Sequence, residues 1–178
     1  MGYFKGVENA RLVTEVFRHD KDRFHPYTAF MAEVMRSSDT LGAVEREAIA
    51  LHVSAINRCH YCVGSHRAAL LAMGQTAEQI AEVEVGRSPD GKLHALLVLA
   101  ARLTNTPSMV GEADIDDARR AGATDRDIQD TIAVAAVFAF MNRLVEGYGV
   151  KGDDKAFDLV GKSLISGGYD AIPKMISR

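Results

Sequence analysis

Apolar residues recur along this chain at spacings of three and four and almost nowhere alternate one by one, so it reads as helices throughout. Leu12, Val13, Val16 and Phe17 make a stripe over residues 8–19. His25-Pro26 opens a second helix to about Arg36, with the proline near a first turn that has no use for its missing N–H. Ser37, Ser38 and Asp39 break it. Thr40 is a candidate N-cap for a third helix over residues 41–56. A fourth covers residues 60–73 and stops at Gly74. Thr76 and Gln79 form a capping box that opens a short helix to about Val85. Ser88-Pro89-Asp90-Gly91 is a turn, residues 92–103 are helical, and Thr106-Pro107 ends that run. Residues 112–121 make a short helix closed by Gly122. Thr124 caps a long apolar helix over residues 125–146, where Asp125 and Asp127 suit the positive end of the dipole. Gly147 and Gly149 end it. Residues 156–165 and 171–176 are two last short helices, tied by Gly167-Gly168.

The pattern repeats weakly. Gly74-Gln75-Thr76-Ala77-Glu78-Gln79-Ile80 matches Gly122-Ala123-Thr124-Asp125-Arg126-Asp127-Ile128, 48 residues on. The same offset sets Asn57 on Asn105 and Cys59 on Pro107, so the second copy keeps the helices and loses the cysteine. No linker divides residues 1–178. The expectation is one all-α helical bundle with a weak internal two-fold repeat.

A chain of 178 residues with 47% hydrophobic content can bury one core without disulfide staples. A net charge of -3 and a pI near 6.1 give no basic excess for nucleic acid or an anionic membrane. The most apolar run, residues 132–141, is half the roughly 20 residues a membrane span needs, and reads as a buried core helix. Residues 1–11 lack the apolar run of a signal peptide. A cytoplasmic location is therefore the default expectation. In a reducing compartment a lone C-x-x-C points to catalysis or metal rather than to a structural disulfide.

The candidate chemistry lies in residues 47–66. Cys59 and Cys62 are the only cysteines, three apart at the start of the fourth helix, where unpaired N–H groups and the dipole favour a thiolate. His66 follows Cys62 by four residues and returns to the same face. Glu47 sits on the preceding helix, which can bring its carboxylate close if the two pack antiparallel. In the run around Glu47, Glu45 and Arg46 are the expected solvent-facing residues. His60, Tyr61 and His52 are possible site-lining residues. A thiol of pKa ~8.5 lowered to ~6.5 gains about 25-fold in thiolate but only about threefold in rate, because nucleophilicity falls with pKa. Protonating the departing oxygen is worth more, about 10² or above, and a Glu–His pair can supply that proton. A closed zinc site needs four ligands, and no second cysteine pair exists, so no metal is expected. Asn142 and Arg143 interrupt the apolar helix, and a buried Arg143 calls for an acidic partner. Phe138, Phe140 and Met141 read as core or subunit interface.

The spacing E-(x)11-C-x-x-C-x-x-x-H in a helical, internally duplicated chain resembles the AhpD-like alkylhydroperoxidases of the carboxymuconolactone decarboxylase superfamily. The resemblance runs from about Thr40 to Val83, within a core motif region 40–85, and the run over residues 138–149 is similar to the tail of peroxidase-related members. It implies a cysteine-based peroxidase that reduces organic or hydrogen peroxide through a dithiol–disulfide cycle. Cys62 would attack, Cys59 would resolve, and Glu47 and His66 would relay the proton. A helix-start argument alone favours Cys59 as the attacking thiol. The resemblance further implies no bound cofactor, an external dithiol reductant (a dihydrolipoyl-type compound or a thiol donor protein), and a homo-oligomer, trimer or hexamer. One departure stands out: where the best-known alkylhydroperoxidase has a His before its second Cys, this chain has Tyr61, and the His is His60. A phenol of pKa ~10 shuttles protons poorly at neutral pH, though it can donate a hydrogen bond to a peroxide oxygen. The rival reading is a redox-responsive interaction or disulfide-exchange module with little turnover. Decarboxylase or lactone-processing relatives do not depend on C-x-x-C.

Overall fold

The computed structural model describes residues 2–36 and 40–177, so the expected break at Ser37, Ser38 and Asp39 lies outside the described residues. The described residues form ten α-helices in order: α1 (Val13–His19), α2 (Lys21–Met35), α3 (Ala43–Ile56), α4 (His60–Ala72), α5 (Ala77–Glu84), α6 (Gly91–Asn105), α7 (Glu112–Arg120), α8 (Asp125–Tyr148), α9 (Asp154–Gly167) and α10 (Ala171–Ile176). A 3₁₀ turn, Pro107–Met109, precedes α7. The described residues contain no strand.

The starts of α1, α2 and α3 differ from the sequence reading in what sets them. α1 begins at Val13, not near Glu8, because the Glu15 carboxylate accepts the N–H groups of Arg11 (2.9 Å) and Leu12 (2.8 Å) and closes the helix there. α2 begins at Lys21, right after α1, so Pro26 stands inside the helix rather than at its start. α3 is capped by Gly42. Thr40 instead donates to Asp127 Oδ1 at 2.5 Å and fastens the approach to α3 onto the first turn of α8.

α3 is the hub. All nine residues from Arg46 to Ser54 are buried, as expected of a helix surrounded on every side. It packs on α4, α5, α6 and α8. α8 is long and apolar enough to cross a bilayer by length and composition alone, but 56% of its most apolar window is buried within the protein, which makes it a core helix. The internal repeat is carried by the element order. α3, α4 and α5 recur as α6, α7 and α8 at the same offset, and Thr76 and Thr124 both close capping boxes.

Two arginines exchange their expected places. Arg46, read as solvent-facing, is 1% exposed. It pairs with Asp130 and donates to the carbonyls of Val34 (2.6 Å) and Leu41 (3.3 Å). Arg143, read as buried and paired, is exposed and donates to Ala139 O on its own helix. Helical phase explains both: α3 has no outward face, whereas α8 turns Arg143 away from the core.

α9 lies along α4 at very close range. A Cβ on Gly161 would stand 2.8 Å from the Ala68 carbonyl oxygen, a backbone atom that cannot swing aside. Gly161→Ala is therefore expected to push the helices apart and cost about 1–3 kcal/mol by overpacking. Urea denaturation measures it; an unchanged midpoint would show that the contact yields freely.

Candidate active site

The site is built on the α3–α4 junction. Asn57 caps the C-terminus of α3, and Arg58 then adopts a left-handed conformation, φ 56°. Arg58 N–H bonds to Ala55 O and Cys59 N–H to Ser54 O, both at 3.0 Å. This is a Schellman ending, which normally takes glycine at the left-handed position. Four other helix ends here use the same pair of bonds with Gly74, Gly86, Gly122 and Gly149. A side chain in this conformation costs about 1–2 kcal/mol, partly offset by the greater chain entropy glycine loses. Arg58→Gly should thus raise stability by up to about 1 kcal/mol, seen as a higher Tm. A fall would mean that the arginine side chain holds the junction.

The turn sets Cys59 as the N-cap of α4 and Cys62 in its first turn, both as buried free thiols. Position at a helix start does not translate into an easily ionised Cys62. Interaction with the Cys59 sulfur, then burial, then the nearby Cys59 charge push the Cys62 pKa well above the ordinary value. The Asn142 amide works in the opposite direction. Asn142 is itself fixed by Asn57 (2.9 Å) and Ser54 (3.0 Å), so one buried amide joins α8 to the C-terminal end of α3.

Antiparallel packing of α3 and α4 brings Glu47 against His66. His66 Nδ1 lies 2.6 Å from Glu47 Oε2, and both side chains are buried. With Nδ1–H donated to the carboxylate, Nε2 keeps the lone pair and can take up or return a proton. The imidazole stands edge-on to Phe138, ring centroids 4.5 Å apart. The Tyr169 phenol, between α9 and α10, is buried beside Glu47. Burial first, then the carboxylate's charge, raises its pKa. It does not close a hydrogen bond to Glu47 Oε1.

Cys62 and His66 line one cavity of about 170 Å³. Its other walls are almost entirely apolar and come from α1, α2, α8, α9 and α10, with Phe17, Met31, Phe138, Met141, Leu164 and Ile172 among them. Cys59 does not line it. Tyr61 does, and its hydroxyl oxygen accepts the Val13 N–H at 3.0 Å, leaving the phenolic proton to donate elsewhere. Burial pushes the Tyr61 pKa up to about 12.

Of the seven residues singled out from sequence, Cys59, Cys62, Glu47, His66 and Tyr61 come together. His60 is exposed, edge-on to Phe157 in a separate groove between α4 and α9. His52 faces α5, its Nδ1 3.2 Å from Glu84 O, and burial lowers its pKa. Sequence reasoning missed Asn142 as a site residue, although an amide inside an apolar helix was a signal for it. Ser65, three residues after Cys62, was open to the same spacing argument. Thr14 and Tyr169 gave none.

Comparison with known proteins follows the same lines. The model of the carboxymuconolactone decarboxylase family matches residues 22–105. The chain is similar to the crystal structure of an uncharacterized peroxidase-related protein from Ralstonia eutropha JMP134, described as an alkylhydroperoxidase AhpD core. That similarity is 30% identity over 84% of this chain and 80% of that one, TM-score 0.74. An uncharacterized peroxidase-related protein from Silicibacter sp. TM1040 shares 26% identity over 82% of this chain and 78% of that one, TM-score 0.75. No match was found among curated proteins.

Proposed function

Since the chain belongs to the AhpD-like group of the carboxymuconolactone decarboxylase family, we propose that it is a thiol-dependent peroxidase working through a Cys59–Cys62 dithiol–disulfide cycle. The observation that carries this reading is that a thiol and a carboxylate-backed imidazole, Cys62 and His66, line the same apolar cavity. Cys62 is the attacking sulfur because it meets the cavity and Cys59 does not. His66 takes the Cys62 proton, with Glu47 steadying the imidazolium. The thiolate attacks the terminal oxygen of a hydroperoxide; the S–O bond forms, the O–O bond breaks, and the departing alkoxide takes the proton from His66 and leaves as an alcohol. The Cys59 thiol then displaces water from the Cys62 sulfenic acid and forms the disulfide. An external dithiol reduces it and is itself oxidised to a disulfide.

The raised Cys62 pKa bears on this scheme. Proton removal by His66 at the moment of attack therefore contributes more than any standing thiolate population. One equivalent of an organic hydroperoxide should yield a product lighter by two hydrogens, mapped by mass spectrometry to the peptide carrying both cysteines. A persistent dithiol, or oxidation confined to methionine, would end the reading.

The proton demand on Cys62 and Tyr61 at the position before it also favour a second reading: a redox-responsive module with little turnover. A rate equal to that of free dithiol, with a change of size on gel filtration after oxidation, would select it. We further propose a homo-oligomer, supported by the exposed Phe30, Ile132 and Phe140 on α2 and α8.

A further inference from the structure

Among the described residues, three buried side-chain polar atoms make no hydrogen bond: Thr14 Oγ1, Ser65 Oγ and Glu47 Oε1. All three belong to one place. Thr14 and Ser65 line the cavity of Cys62 and His66, and Glu47 stands behind His66. Native proteins leave few buried polar atoms unmatched, because each such atom keeps its desolvation penalty. A serine within a helix ordinarily bonds back to the carbonyl four residues earlier. Ser65 does not, and its hydroxyl comes near the Tyr61 phenol without closing a hydrogen bond to it. Ser65 is 7% exposed and sits one helical turn past Cys62. Thr14 reaches the same cavity from α1, so the two hydroxyls come from separate elements.

The rest of the lining restricts what can meet them. It contains no Lys, Arg, Asp or Glu, and its histidine, His66, is already bonded to the Glu47 carboxylate, so an anionic ligand would be buried without a free counter-charge. The volume, about 170 Å³, is close to that of an apolar cavity of ~150 Å³ known to hold benzene.

We propose that Thr14 and Ser65 form an oxygen-binding subsite, and that the pocket takes a neutral, compact hydrocarbon bearing one oxygen function. In the hydroperoxide that function is the oxygen bonded to carbon, which leaves as the alcohol while Cys62 meets the terminal oxygen. The proposal rests on this cavity being where the substrate binds, and not on the protein's turning it over.

Unreactive monosubstituted benzenes of similar size test it by calorimetric titration of the reduced protein. 1-Phenylethanol carries the product hydroxyl, ethylbenzene lacks it, and benzoate carries a charge. The subsite requires the alcohol to bind about tenfold or more tightly than ethylbenzene, and benzoate weakest of all. A merely greasy pocket gives the reverse order for the first two, because burying an unmatched hydroxyl is unfavourable. The Ser65→Ala/Thr14→Val protein should put ethylbenzene first. Ethylbenzene ahead in the wild type, no measurable binding of the alcohol, benzoate equal to the alcohol, or an order unchanged in a folded variant would each overturn the proposal. The wild-type order decides alone if the variant does not fold. Should the alcohol bind first while no hydroperoxide is reduced, the peroxidase reading fails and the subsite stands.

Discussion

Cys62→Ser is expected to reduce hydroperoxide-dependent dithiol oxidation to the rate of the free dithiol alone. A hydroxyl in that position cannot be oxidised to a sulfenic acid, and Cys59, which does not line the cavity, cannot take over. Cys59→Ser should behave differently. Its Cys62 can still react once, so one equivalent of alcohol forms before the cycle stops at the sulfenic acid, and excess peroxide carries that sulfur on to sulfinic acid. A coupled assay of dithiol loss against alcohol formed separates the two variants. His66→Gln, which leaves both sulfurs in place, should lower kcat by about 10²–10⁴, the usual worth of a positioned acid–base group. Full activity in both cysteine variants would remove the dithiol mechanism. Reversed behaviour, a single turnover in Cys62→Ser and none in Cys59→Ser, would exchange their roles.

Arg46→Ala is expected to cost about 3–5 kcal/mol, a large part of the roughly 5–15 kcal/mol that holds a domain of this kind together. The guanidinium is enclosed, and its removal strands Asp130 in the interior, with only the exposed Arg126 beside it at 3.1 Å. The carbonyls of Val34 and Leu41 lose their donor as well. Arg46→Met with Asp130→Leu removes both charges and should recover most of the loss, since the penalty comes from the unpaired partner rather than from the missing attraction. Urea unfolding of the single and double variants measures the difference. A cost below about 1 kcal/mol for Arg46→Ala would mean that water reaches Asp130 and that the pair behaves as a surface one. Because Arg46 precedes Glu47 on α3, the single variant should also loosen the carboxylate behind His66.

The parts of the site that follow helical spacing were legible from sequence. Cys62 and His66 share a face because four residues return to it, and the antiparallel α3–α4 hairpin brings Glu47 within 2.6 Å of His66 Nδ1. The helix ends were legible where glycine or a capping box marks them, as at Gly74, Thr76, Gly122 and Thr124. What could not be read depends on long-range contacts. Nothing local reveals that Arg46 is enclosed on a helix with no solvent side, or that Tyr169 folds back over a carboxylate 122 positions earlier in the chain. The start of α1 was misjudged because Glu15 caps it through its side chain, a role that a polar residue among apolar ones does not announce. The helix-start argument for a reactive thiolate failed for Cys62 because it counted the dipole and left out burial and the second sulfur.

Neither sulfur meets solvent: Cys59 is 0% and Cys62 2% exposed. Under the proposed cycle a compact alkyl hydroperoxide reaches Cys62 through the cavity, and the thiol that reduces the disulfide must take the same way. The oxidised protein should therefore discriminate among electron donors by girth as well as by potential, sparing bulky monothiols such as glutathione and yielding to a slim, flexible arm that carries two.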